Sequence, residues 1–178
     1  MRILYRIRQF GRAFSTHTSL LGLDGAQRRL NPEQWELFTQ LQPSEQGHAV
    51  AMYLKLLEQG EIQPDLLVAA LLHDIGKLRY RMKPLERAMV ILVRAVNSNQ
   101  SQRWGSLPPA GWESLPGWRK AFIVSEQHPA WGAEMARHAG ATPLTETLIR
   151  EHHHPHGHEA NSIENSLLSK LWVVDNES

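Results

Sequence analysis

The chain carries ten histidines, five of them between His152 and His158, and the ones that matter sit where apolar side chains belong. His48 shares a helical stripe with Met52 and Leu56, since residues four apart face the same way. His73 and Asp74 close the apolar run 66–72. His152 follows Leu144 and Leu148 on one stripe, and His153 follows Ile149 on the next. Asp175 follows Leu171 and Trp172 at helical spacing, and His128 stands just before Pro129, at an expected helix start. Taken singly, each histidine is more ordinarily a hydrogen-bonded core residue or an exposed one. Taken together they bring imidazole and carboxylate from five helices towards one interior. A buried carboxylate is costly unless paired or metal-bound, and beyond Lys77 the sequence offers no obvious buried cation. The set therefore predicts a divalent ion. Nitrogen and oxygen donors without sulfur suit Mn, Fe, Co, Ni, Zn or Mg, and several imidazoles argue against Ca.

Composition narrows the alternatives. The 178 residues are enough for one domain with a sizeable core. A net charge of +1 gives no electrostatic case for nucleic acid. The absence of cysteine removes disulfides, thiolate metal sites and cysteine nucleophiles. The longest unbroken apolar run is seven residues, too short to span a bilayer. Residues 2–14 read as a basic amphipathic segment, better explained as a packed first helix than as a membrane-surface contact. They lack the apolar stretch of a secretory leader, and a cytoplasmic location is the expectation.

The elements that must position the donors repeat at three and four residues, which predicts an all-α fold. Asn31-Pro32-Glu33 opens a helix with the stripe Trp35, Phe38, Leu41. Ser44 is expected to cap the next, which runs to about Gln59 with Gly60 as its stop. Residues 66–74, apolar all round, form the central buried helix, ended by Gly76. Further helices are expected over 85–96, 118–125, 129–139, 143–153 and 163–174. Residues 97–117, rich in Ser, Asn, Gly and Pro, are expected to be a long loop insertion, a lid or a binding loop. Trp104, Trp112 and Trp118 lie in or beside it, more simply as anchoring aromatics than as a stacking platform. His154, His156 and His158 read as a solvated loop, and His17 and His138 as structural or surface residues.

The order of these donors resembles the HD-domain superfamily of metal-dependent phosphohydrolases. The motif is Leu71-Leu72-His73-Asp74-Ile75-Gly76-Lys77, with His48 lying 25 residues upstream and Asp175 on a late helix. The stretches around His128 and around His152-His153 are similar to the two-metal branch that includes the HD-GYP phosphodiesterases. The resemblance covers about residues 43–175. It implies a compact bundle of about seven to eight helices, a single domain over 1–178 with an extension at 1–30 and the insertion at 97–117. It implies two divalent ions bridged by Asp74, with His48, His73 and Asp175 at one and His128 and His152 at the other. His153 would contact metal or phosphate and Lys77 would approach the substrate phosphate, making Asp74, Lys77 and His153 the catalytic set. The chain departs from the relatives in having no G-Y-P after the histidine pair, so the resemblance does not carry cyclic dinucleotide specificity. It also has Ser44, with Glu45 one place off, where some relatives place a further metal-binding glutamate.

The function so implied is hydrolysis of a phosphate ester, as a phosphodiesterase or phosphomonoesterase, with a small-molecule nucleotide as the expected substrate. A shared carboxylate between two ions would lower the pKa of a bridging water and yield hydroxide at neutral pH. The alternative is a signalling or scaffold domain that keeps the fold and binds metal or nucleotide with little turnover. No nucleic-acid partner is expected, and self-association is compatible with the sequence.

Overall fold

The computed structural model describes residues 16–106, 110–154 and 163–178. Among them the chain forms nine α-helices, two short 3-10 turns and no strand. The helices are α1 Thr16–Arg29, α2 Pro32–Gln40, α3 Pro43–Glu58, α4 Pro64–Leu72, α5 Pro84–Val96, α6 Ser98–Gly105, α7 Gly117–His138, α8 Pro143–Glu151 and α9 Ile163–Glu177. A 3-10 turn, Ile75–Arg79, follows α4, and another spans Trp112–Ser114. The all-α expectation holds. The basic segment 2–14, His156 and His158 lie outside the described residues.

The central helix is the one predicted. Leu66, Leu67, Ala69, Ala70, Leu71 and Leu72 of α4 are all buried, and α3, α8, α9 and α1 pack around them. Such all-round apolarity suits only a helix with neighbours on every side. A second apolar cluster, built on Phe122, Ile123 and Val124 of α7 with Val90 of α5, joins the later helices.

Helix starts follow local chemistry. Asn31 makes a capping box with Gln34 at α2, and its amide also donates to the Ala139 carbonyl at the end of α7. Ser44 does not cap α3: Gln42 takes that position, with Glu45 reaching back to its N–H, and Ser44 falls inside the first turn. Gly60, at φ 80°, does follow the end of α3. Gln63 caps α4 and Thr142 caps α8. The first turns of α4 and α8 are tied together, because the Asp65 carboxylate accepts from the hydroxyls of Thr142 and Thr145.

Two expectations about the middle of the chain fail. The segment expected to be a loop contains α6, capped by the Asn97 side chain. Its weak propensity is overridden by tertiary packing: Gly105 passes so close to α7 that a β-carbon would lie 2.5 Å from the Phe122 carbonyl oxygen. Residues 118–125 and 129–139, expected as two helices, are one helix of 22 residues with Pro129 inside it. His128 therefore lies mid-helix and not at a helix start. The tryptophans of this region do anchor it: Trp104 meets Trp118 and Phe122 edge-on, and Trp112 stacks on Trp131.

Candidate metal centre

Two nine-residue helices, α4 and α8, begin together at Asp65 and deliver histidines at their ends. His73 is the C-cap of α4 and His152 the C-cap of α8, and their ring centroids lie 5.1 Å apart. The Nδ1 of each meets the carbonyl oxygen three residues back, at 3.0 Å for His73 on Ala70 and 2.7 Å for His152 on Ile149. These carbonyls belong to the last helical turn and have no onward helical donor. An Nδ1–H donated to them fixes the tautomer and leaves Nε2 with its lone pair free, the arrangement a metal-binding imidazole needs.

His128 reaches the same state by another route. Proline has no N–H to give the carbonyl four residues back, so Pro129 frees the Ser125 oxygen, and His128 Nδ1 lies 3.1 Å from it and 3.0 Å from the Val124 oxygen. His128 Nε2 is buried without a hydrogen-bond partner and faces Asp74 Oδ1 at 3.3 Å. His73 Nε2 faces the same oxygen at 3.5 Å. Lone pairs on two imidazoles opposed to one carboxylate oxygen repel one another unless a cation sits among them.

Gly76 makes this closeness possible. Its φ is negative, so it is not the helix stop expected from the sequence. It lets the 3-10 turn lie directly on α7: a β-carbon there would come within 2.1 Å of the His128 carbonyl oxygen.

The remaining donors complete two groups. His48, His73 and Asp175 offer ligand atoms all within 4.8 Å of one another, and His128, His152 and His153 do the same. Asp74, almost fully buried, lies between them. His48 Nε2 is 2.9 Å from Asp175 Oδ1 and donates to that carboxylate. Lys77 Nζ lies 2.6 Å from Asp74 Oδ2. All six predicted donors thus converge, joined by His153, and with Lys77 most of them line a cavity of about 240 Å³. His154 and His138 are exposed and stand apart from it. Glu45, near the position where relatives place another metal-binding glutamate, has both oxygens engaged, one by Gln42 N–H and one by Arg87.

Electrostatics agree with a site waiting for positive charge. Burial pushes Asp74 up, but the ammonium of Lys77 and the neighbouring histidines outweigh it and hold the carboxyl well below the usual range. Burial likewise opposes ionisation of Asp175, and the His48 hydrogen bond with the charges of His73 and His48 overcomes it. Three of the imidazoles, those of His73, His152 and His153, shift down. Burial first, then its imidazole neighbours, lower His152; burial, with His128 and Arg94 beside it, takes His153 to about 3. Burial also lowers His73. At neutral pH these rings are uncharged ligands facing ionised carboxylates, a set that fits divalent metal.

A family model described as HD domain matches residues 46–172, well over half of the chain, and the protein belongs to the HD-domain family. That family is generally one of metal-dependent phosphohydrolases. The match contains the predicted donors except Asp175, which lies three residues beyond it and is brought in by its contact with His48. No curated protein and no solved structure matches the chain. Among the described residues no helix is long and apolar enough to cross a membrane.

Proposed function

We propose that this protein is a phosphohydrolase that holds two divalent ions, one by His48, His73 and Asp175 and one by His128, His152 and His153, with Asp74 shared between them. The carrying observation is the convergence on Asp74 Oδ1 of two imidazole Nε2 atoms whose Nδ1 atoms are committed to backbone carbonyls. Two such ions supply Lewis acidity towards phosphoryl oxygens and a nucleophilic water at neutral pH. The protein's own groups do the rest. The nine-residue helices fix the ligands, so little reorganisation accompanies charge development in the transition state. Lys77, whose ammonium lies 2.6 Å from Asp74 Oδ2 at the cavity wall, would offer its remaining N–H donors to a non-bridging phosphate oxygen. His153 is reassigned by this reading from the predicted catalytic set to a ligand, because its ring packs 4.9 Å from His128 and 4.3 Å from His152. The substrate class that fits is a nucleotide or related phosphate ester.

The experiment is release of phosphate or nucleoside monophosphate from a substrate panel by protein loaded with Mn, Fe, Co or Ni, with ions counted by anomalous scattering. Asp74→Ala is expected to abolish turnover and ion binding together. A properly loaded protein that hydrolyses no phosphate ester would overturn the reading in favour of a binding or signalling domain.

A further inference from the structure

A second cavity, of about 510 Å³, opens beside the metal cavity and shares His153 and Asp175 with it. The metal cavity alone is smaller than the roughly 300–1,000 Å³ of sites that enclose whole organic ligands, whereas the second falls within that range. Its walls are of a different kind. Arg94 reaches it from α5 and Arg150 from α8, each guanidinium held by a carboxylate, Glu126 and Glu146 respectively. Both arginines are thereby oriented while keeping further N–H groups free to donate. Trp172 lines the same groove from α9, one helical turn before Asp175. Among the described residues, the other five tryptophans each meet a neighbouring aromatic ring, stacked or edge-on. Trp172, 38% exposed where Trp118 is 44%, makes no such ring contact among the described residues and lines the groove.

We propose that this groove binds the leaving-group half of the substrate, with the nucleobase stacked on Trp172, base or sugar oxygens met by Arg94 and Arg150, and the phosphate carried past His153 to the metals. The proposal rests on the phosphohydrolase reading of the neighbouring cavity and adds what that cavity cannot supply, a reason to prefer nucleosides. An indole face accepts any base, so stacking gives affinity without strict base choice.

The test measures binding to metal-loaded protein of two nonhydrolysable probes, nucleoside phosphonates and methylphosphonate, beside the hydrolysis assay. Trp172→Ala is expected to weaken the nucleoside probes about tenfold and to leave methylphosphonate unchanged. Trp172→Phe should retain most of the affinity, and Trp118→Ala, which removes an exposed tryptophan elsewhere, should change neither probe. Equal weakening of both probes, an unchanged nucleoside affinity, or no binding of nucleoside probes by the unaltered protein would overturn the groove. Failure of the two readings separates cleanly: a hydrolase indifferent to Trp172 removes the groove alone. A protein that hydrolyses nothing yet loses nucleoside binding with Trp172 keeps the groove and removes the chemistry.

Discussion

His73 and His152 cap two helices of equal length whose first turns are joined through Asp65, so their rings arrive 5.1 Å apart at the opposite end. At 1.5 Å rise per residue the carboxylate that sets this register is on the order of 13 Å from the imidazoles it aligns. The candidate metal centre is therefore held at a distance by a hydrogen-bond clamp as well as by its own side-chain contacts.

That clamp can be broken without touching a ligand. Asp65→Ala removes the acceptor for Thr142 and Thr145 and should cost about 1.5–3 kcal/mol, the range for hydrogen bonds to a charged group. Because α4 and α8 then lose their common start, affinity for divalent metal should fall as well, read by calorimetric titration of the folded variant. Metal affinity equal to that of the unaltered protein would show that the clamp serves stability alone.

Gly76 is a second point of leverage. A β-carbon there meets the His128 carbonyl oxygen at 2.1 Å, while one on Gly132 meets nothing closer than 3.2 Å, and one on Gly47 has open space. The order of damage should follow these distances. Gly76→Ala should destabilise by about 1–3 kcal/mol or more as an overpacked contact between backbones, and should lower metal binding by forcing Asp74 away from His128. Gly132→Ala should be milder. Gly47→Ala, inside α3, should stabilise by about 0.5–1 kcal/mol. Thermal melts of the three variants check the ranking, and a Gly76→Ala protein that melts and binds metal normally would refute the close-approach explanation.

The metal-free protein should be sensitive to mild acid. His73, His152 and His153 have folded pKa values below the usual 6.5, His153 at about 3, chiefly through burial. Between 6.5 and the folded values the unfolded chain binds more protons than the native one, so stability falls as pH falls. The contribution is fully present above 6.5 and is lost progressively on acidification towards 3. Melting temperatures of metal-free protein across that window should therefore decline, and replacing His153 with Gln should flatten the slope. A melting temperature independent of pH from 7 to 5 would contradict the buried, neutral assignment.

How far the site could be read in advance depended on what kind of signal marked it. His48 and Asp175 advertise themselves by falling on apolar stripes beside Met52 and Leu171, and the His73-Asp74 pair by closing an apolar run. His128 was found through its motif but misplaced in the fold, because proline ordinarily marks a helix start. In the structure Pro129 stays inside α7, where its missing N–H releases the very carbonyl that orients the His128 ring. The helix α6 escapes a reading of its own residues, which favour a loop; in the structure Asn97 caps it, Ser101 is buried and Gly105 lies close against α7. In sequence Trp172 reads as part of the apolar stripe that leads to Asp175 and Arg150 as one more charged residue, whereas in the structure Trp172 is partly exposed. Their meaning comes from sharing a groove with His153.

Periodicity and residue type alone determined that this chain is helical, that α4 is its buried centre, and that imidazoles and carboxylates point inward from several helices. These are local properties, written at spacings of three and four along each segment. Tertiary structure alone decided which nitrogen of His73, His128 and His152 is left free, that His73 and His128 face one oxygen of Asp74, and that a second, larger cavity adjoins the first. Those facts depend on distances of a few ångströms between helices far apart in the chain, set by backbone contacts such as Gly76 on His128 and by the Asp65 clamp.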